Sequence, residues 1–227
     1  MCLLTDTDIE KIIAKEAAGA PDNALVICPF SPDSLTPVGY DLRVGVTVAT
    51  SNEIGRKKLV DGESFTIAPG ATALISTLEV LRMPLDHSIS GLIESKVTKV
   101  SKGLSHISTT VDSDWEGNLL IAVHNHSSGK FTLSYGETFC TIVFMKNISP
   151  SSKPCEKQPG RLDILLDKFD EDAHRARRKR FIKEYIPPLI ILITSILGYY
   201  FFGNAPGFVA SVATGVAVSQ FVNSKIR

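Results

Sequence analysis

The 227-residue sequence has no excess of charge, with 24 Lys and Arg against 24 Asp and Glu. A duplex nucleic-acid binder needs surplus cations to neutralise phosphates, so that class is set aside. Cysteine is sparse: Cys2, Cys28, Cys140 and Cys155 lie far apart, with no Cys-x-x-Cys pair. This spacing argues against a zinc site or a disulfide framework and suits a reducing compartment. Sixteen Gly and twelve Pro are near average, which excludes collagen and low-complexity disorder. No internal repeat is present, and no Ser/His/Asp arrangement stands out. His124 and His126 share one face of a strand but lack a third ligand, so no metal site is expected there. His87 and His106 carry no pattern. Met1–Ile13 holds Asp6, Asp8 and Glu10 and no basic segment, so no signal peptide is expected.

Charge is also missing from one long stretch. Ile186 to Val222 is 37 residues without a charged side chain. The balanced total hides this asymmetry: residues 1–160 hold 14 basic and 18 acidic residues, and residues 161–227 hold 10 and 6. Gly203-Asn204-Ala205-Pro206-Gly207 divides the uncharged run into Ile186–Phe202 and Ala205–Val222. As helices these are roughly 25–27 Å long, close to a hydrocarbon core of about 30 Å. Pro187-Pro188 suits a helix start. Tyr199, Tyr200, Phe201 and Phe202 end the first segment as an interfacial cluster. The second is rich in small residues (Gly207, Ala210, Ser211, Gly215, Ser219), which favour close helix packing. Arg175, Arg177, Arg178, Lys179, Arg180 and Lys183 precede the run, and Lys225 and Arg227 follow it. The expectation is a two-span membrane hairpin with the body and both termini cytoplasmic. A hydrophobic hairpin buried at an oligomer interface is the competing reading. Before it, Arg161–Tyr185 reads as a connector helix, with Leu162, Leu165, Leu166 and Phe169 at helical spacing. Its basic end suits either anionic lipid headgroups or plain solvation.

The body reads differently. Thr5-Asp6-Thr7-Asp8 offers N-caps for a helix with Ile9, Ile12 and Ile13 on one face, ending near Ala17. Strand-like runs follow at Leu42–Ala49, Ser64–Ile67, Thr72–Thr77, Gly91–Ile93, Leu119–Val123, Lys130–Leu133 and Thr141–Met145. Their spacing argues a mainly β body of a barrel or jelly-roll kind. The expected organisation is a β domain over 1–150, a linker and basic helix over 151–185, the hairpin over 186–222 and a basic tail over 223–227.

Three stretches stand out together: Pro37-Val38-Gly39-Tyr40-Asp41-Leu42-Arg43-Val44-Gly45; Val111-Asp112-Ser113-Asp114-Trp115-Glu116-Gly117-Asn118-Leu119, continuing to Asn125; and Phe131-Thr132-Leu133-Ser134-Tyr135-Gly136-Glu137-Thr138, running on to Phe144. In this order and spacing, over about residues 3–147, they resemble the dUTPase/dCTP deaminase superfamily. The opening Leu4-Thr5-Asp6-Thr7-Asp8-Ile9 is similar to the deaminase branch, and Asp112–Gly117 to the dUTPase branch. The resemblance implies a dUTPase-like distorted jelly-roll, a homotrimer and nucleotide sites at subunit boundaries.

The resemblance also assigns roles. Asp112 falls at the general-base position of a dUTPase-like hydrolase, which would work with Mg²⁺. Asp41 falls near the family's metal and nucleotide site, and Trp115 where an aromatic residue meets the nucleotide. The proton-shuttling Glu of dCTP deaminases is matched by Ala122, and alanine carries no proton, so deamination is not expected. The family's Arg-Ser phosphate turn is replaced by Glu94-Ser95-Lys96-Val97-Thr98-Lys99. There Ser95, as a helix cap, Thr98, and Lys96, Lys99 and Lys102 at spacings of three are the candidate phosphate contacts. A lysine gives a point charge rather than a bidentate fork. Thr141 stands where a Gln is expected. Lys157-Gln158-Pro159-Gly160 resembles a remnant of the deaminase C-terminal arm. The bland alternatives are that Asp41 and Asp112 cap turns, that Trp115 fills a core, and that the lysines form a solvated face. Two functions compete. One is a membrane-anchored nucleotide sensor or effector, in the manner of a defence protein, that passes occupancy to the hairpin. The other is a tethered dUTP pyrophosphatase using Asp112.

Overall fold

The computed structural model describes residues 2–53, 55–106, 108–153, 161–203 and 206–225. Its contacts form two compact units, Met1–Asp170 and Glu171–Arg227. The Lys157–Gly160 stretch lies outside the described residues.

The first unit opens with β1 (Cys2–Leu3) and α1 (Asp6–Ile12). The Asp8 carboxylate accepts hydrogen bonds from the Thr5 hydroxyl at 2.9 Å and the Thr5 backbone N–H at 3.3 Å. These bonds hold Asp8 below the usual carboxylate pKa. Ile9 is fully buried. The helix stops short of Ala17, because Ile13 leaves it to pair in parallel with Leu25. That bridge joins β2 (Ile13–Ala14) to β3 (Leu25–Cys28). There follow β4 (Leu35–Thr36), β5 (Gly39–Thr50), β6 (Arg56–Lys58), β7 (Ser64–Ile67), β8 (Thr72–Arg82) and β9 (Ile89–Ser95). After the single turn α2 (Val97–Val100) come β10 (Leu104–Ser105), β11 (Thr109–Val111), β12 (Glu116–Asn125), β13 (Phe131–Ser134) and β14 (Thr138–Lys146). All seven expected strands are present, most of them longer than the apolar runs that signalled them.

The main sheet runs β10-β12-β8-β5-β14-β9-β11, and β13 pairs separately with β7. Period-two alternation sorts the side chains. On β12, Leu119, Ile121, Val123 and Asn125 are buried, while Ala122 between them is exposed. Tyr40, Leu42 and Val44 of β5 meet Ile142 and Phe144 of β14 in the same core. Gly39 is required where the sheet closes: a Cβ there would lie 2.3 Å from the Ile142 carbonyl oxygen.

An interior strand of this sheet, β8, carries a polar node. Glu79 is fully buried. Its carboxylate accepts bonds from Arg43 Nε at 2.6 Å and from the Arg43 backbone N–H at 3.0 Å. Arg43 Nη2 also donates to the Pro29 carbonyl at 2.7 Å. Nearby, the Thr77 hydroxyl donates to the Glu79 carbonyl at 2.9 Å and accepts from the Leu119 N–H at 2.9 Å. Asn118 Nδ2 donates to the carbonyls of Thr77 and Glu79 at 3.0 and 3.1 Å. Two of the ladders of β8 shift register around these residues, against β5 between Val44 and Val48 and against β12 between Asn118 and Leu120.

The C-terminal helices are present, and one differs from expectation. α3 (Arg161–Phe202) is a single 42-residue helix with Pro187 and Pro188 in its interior rather than at its start. The two prolines remove the donors to the Lys183 and Glu184 carbonyls and crowd those carbonyls with their rings, which favours a local bend. A helix whose other bonds are intact can absorb that loss, so connector and apolar segment form one element. Among the described residues this is the only helix long and apolar enough to cross a membrane. The apolar part of α4 (Pro206–Lys225), Pro206–Val222, is shorter. Within the second unit the helices pack closely along small residues. A Cβ on Gly198 would lie 1.8 Å from Ser211 Oγ, and one on Gly215 would lie 2.0 Å from Thr194 Oγ1. Gly207, Ser211, Gly215 and Ser219 recur every fourth residue, which places them on one face. Leu192, Ile193, Ile196, Leu197 and Tyr199 to Phe202 remain exposed.

Burial raises the Glu79 pKa above its ordinary 4.5 despite the Arg43 hydrogen bonds. The folded chain therefore keeps this proton to higher pH than the unfolded chain. The associated stability is complete below 4.5 and is lost as pH rises through the folded-state pKa. Glu79→Ala, which strands Arg43, is expected to cost about 3–5 kcal/mol in chemical unfolding followed by Trp115 fluorescence. Glu79→Gln is expected to flatten the pH dependence of stability above 4.5.

Candidate functional site

The site residues fall into two groups. The first is built on adjacent strands β5, β14 and β9. Asp41 lies directly opposite Thr141, and Thr141 opposite Glu94. The Thr141 hydroxyl donates to Asp41 Oδ1 at 2.6 Å. Lys96 places its ammonium on Asp41 Oδ2 and reaches Thr138 Oγ1 at 3.3 Å. Asp41 is only 9 % exposed. Its carboxylate thus joins three elements and does not cap a turn. The N-cap of α2 is Lys96, not Ser95. Ser95 Oγ instead meets His106 Nδ1 at 2.8 Å. Lys99 pairs with Glu137. Lys96 and Lys99 are thus held by acids of the same unit, whereas Lys102 is exposed. Thr98 is exposed on α2.

The second group surrounds a cavity of about 220 Å³ lined by Ile93, Val111, Asp112, Trp115, Leu119 and Leu165, among others. Trp115 packs against the core and donates from its indole N–H to the Gly117 carbonyl at 3.1 Å. The turn that presents it closes with a Trp115 N–H to Asp112 carbonyl bond at 3.1 Å. The Asp112 carboxylate is exposed at the cavity and has no side-chain partner among the described residues. No hydrogen bond or ion pair joins Asp112 to the Asp41 group among those residues.

The donor set does not fit a resident Mg²⁺. Both Asp41 oxygens are engaged, one by an ammonium that repels a cation. Among the described residues no three His, Cys, Asp or Glu side chains converge. Asp112 alone offers one carboxylate, and Mg²⁺ sites use one or two carboxylates with substrate phosphates completing the shell.

Thr138, Glu137 and His106 are site partners that sequence reasoning missed. The only available signal was Thr141 at the position of an expected Gln. The others required knowledge that β14 lies between β5 and β9.

These features define a mainly β domain of the jelly-roll kind. A family model described as dCTP deaminase-like matches residues 3–147. The dCTP deaminase of Thermococcus kodakarensis is 37% identical over 130 residues, covering 57% of this chain and 81% of that protein. A probable deoxyuridine 5'-triphosphate nucleotidohydrolase of Sulfolobus islandicus rod-shaped virus 1 is 31% identical over 172 residues, covering 74% and 99%. The crystal structure of the 2'-deoxycytidine 5'-triphosphate deaminase of Agrobacterium tumefaciens superposes with a TM-score of 0.51 at 15% identity. It covers 64% of this chain and 48% of that one, so the chain spans about half that structure's length and shares its fold. The chain belongs to the dCTP deaminase-like family, within the dUTPase/dCTP deaminase superfamily.

If the Asp41–Lys96 pair is a structural clamp, the two side chains must be energetically coupled. A double-mutant cycle of Asp41→Asn and Lys96→Met is expected to give a coupling of about 0.5–3 kcal/mol in chemical unfolding. Additive effects would leave the pair without structural weight.

Proposed function

We propose that this chain is a membrane-anchored nucleotide-binding protein whose β domain binds a deoxynucleotide without deaminating it. The observation that carries the reading is Ala122. It stands at the family's proton-shuttling position and is exposed on the outer face of β12. Alanine has no proton to move. His124 lies two residues on, about 6–7 Å along the strand, beyond the roughly 3 Å reach of proton transfer. Its Nδ1 is also engaged by the Thr72 hydroxyl at 3.0 Å. Two of the cations expected to grip phosphate are committed to Asp41 and Glu137, which further removes charge stabilisation.

The membrane part rests on the exposed apolar surface of α3, the small-residue seam with α4 and the basic collar before the apolar run. In this reading the β domain and both ends lie on the cytoplasmic side, the collar meets anionic headgroups, and the body is a homotrimer. A defence effector that answers a nucleotide signal fits this arrangement. The exposed Asp112 carboxylate favours one alternative, a tethered dUTP pyrophosphatase with Asp112 as general base.

Trp115 is the single tryptophan and lines the cavity, so its fluorescence reports occupancy. Titration of the detergent-solubilised full chain with dUTP and dCTP is expected to change that signal saturably, with no uridine product from dCTP. Rapid dUTP turnover abolished by Asp112→Asn would favour the pyrophosphatase. For topology, a reporter fused after Arg227 is expected to read cytoplasmic; an outside reading would overturn the hairpin.

A further inference from the structure

The first turns of α3 belong to the β unit, and one arginine holds them there. Arg56 of β6 donates to the Asp163 carboxylate at 2.8 Å and to the Asp163 carbonyl at 3.0 Å, and pairs with Asp167. Its Nε lies 3.9 Å from Asp170. Asp163, Asp167 and Asp170 recur at spacings of four and three, so they share one helix face. The anchor is imperfect. A single guanidinium faces three carboxylates, and Asp170 Oδ1 is buried without a hydrogen-bond partner. Asp163 and Asp167 are largely exposed, so these ion pairs position the helix while holding it only weakly.

What the anchor positions is a wall of the candidate site. Leu166 is buried at 3 %, and its neighbour Leu165 lines the cavity beside Asp112 and Trp115. Leu165 is 43 % exposed and forms part of the wall of this cavity of about 220 Å³. Its side chain stands beside Asp112 and Trp115, the two residues that the nucleotide-binding reading assigns to the ligand.

We propose that the root of α3 is an internal plug: Leu165 takes room that a bound nucleotide must occupy, so ligand entry and docking of residues 163–170 on Arg56 exclude one another. The inference rests on the nucleotide-binding reading of this cavity. It supplies a means of transmission, because the displaced root is the start of the same helix that carries the apolar segment. Linkage makes the coupling reciprocal: whatever loosens the root tightens the ligand, and the ligand loosens the root by the same factor.

The test uses the full-length chain in detergent, with dUTP and dCTP as probes and Trp115 fluorescence as readout. Arg56→Gln removes the anchor without touching the cavity lining, and Leu165→Ala opens the wall while leaving the anchor. Each is expected to lower the Kd of the nucleotide that binds by about fivefold or more. Saturating nucleotide is expected to speed amide hydrogen exchange over residues 163–170 in the wild type. Leu165→Ala and the exchange measurement decide the matter if Arg56→Gln does not fold. Nucleotide binding that is unchanged or weakened in the folded variants, with exchange over 163–170 unchanged, would overturn the plug and leave the binding reading intact. Absence of binding in the wild type and in both variants would overturn both.

Discussion

The buried Arg43–Glu79 pair is the constraint on which the β unit turns. Burying a carboxylate on an interior strand of a sheet is costly unless its lone pairs are filled. Here a guanidinium and a backbone N–H fill them. Beside the pair, β5 and β12 shift register against β8, and Thr77 and Asn118 hydrogen-bond the backbone there. Both candidate groups hang from this node. Asp41 lies two residues before Arg43 on β5, on the same face. The Asp112–Trp115 turn is held where the Met83 N–H, just past the end of β8, donates to the Trp115 carbonyl at 2.9 Å.

The two groups have been given different work by their surroundings. The Asp41 cluster is internally neutralised, with each lysine facing an acid of its own unit. A phosphate arriving there must compete with a partly buried carboxylate for the same ammonium. Phosphoryl chemistry depends on fixed charge aimed at the transition state, and charge already spent on structure contributes little. The cavity has a different character: apolar side chains, the hydroxyl-bearing Thr109 and Thr110, one aromatic ring and the exposed Asp112 carboxylate line it. That combination recognises a flat, partly polar ligand better than it activates one.

Strand positions were legible in the sequence because period-two alternation of Val, Ile and Leu is a local signal. So were Asp112, Trp115 and Ala122, which sit inside contiguous motifs. The pairing of Lys96 with Asp41 was not, because it depends on β14 inserting between β5 and β9. A charged side chain looks the same in sequence whether it faces solvent or a carboxylate contributed by a strand 55 residues away. The run of α3 through Pro187-Pro188 was also hidden. Local propensity places prolines at a helix start, but two missing donors among 42 residues cost less than breaking the helix and exposing new backbone ends. α1 ended early for a related reason: Ile13 gained a strand partner in Leu25 that no local pattern announces.

The continuity of α3 bears on how binding and anchoring relate. Two elements joined by a flexible linker transmit nothing but proximity, since the linker absorbs any displacement of its ends. A helix differs, because each residue is fixed to the turn before it, so displacing one end moves the axis. Its weak place is where backbone bonds are missing, and kinks concentrate at proline. In α3 that place is Pro187-Pro188, just past the basic collar and at the head of the apolar run. Leu165 lies about six turns earlier on the same helix. The place where α3 lacks backbone bonds therefore coincides in sequence with the point where its charged half gives way to its uncharged half.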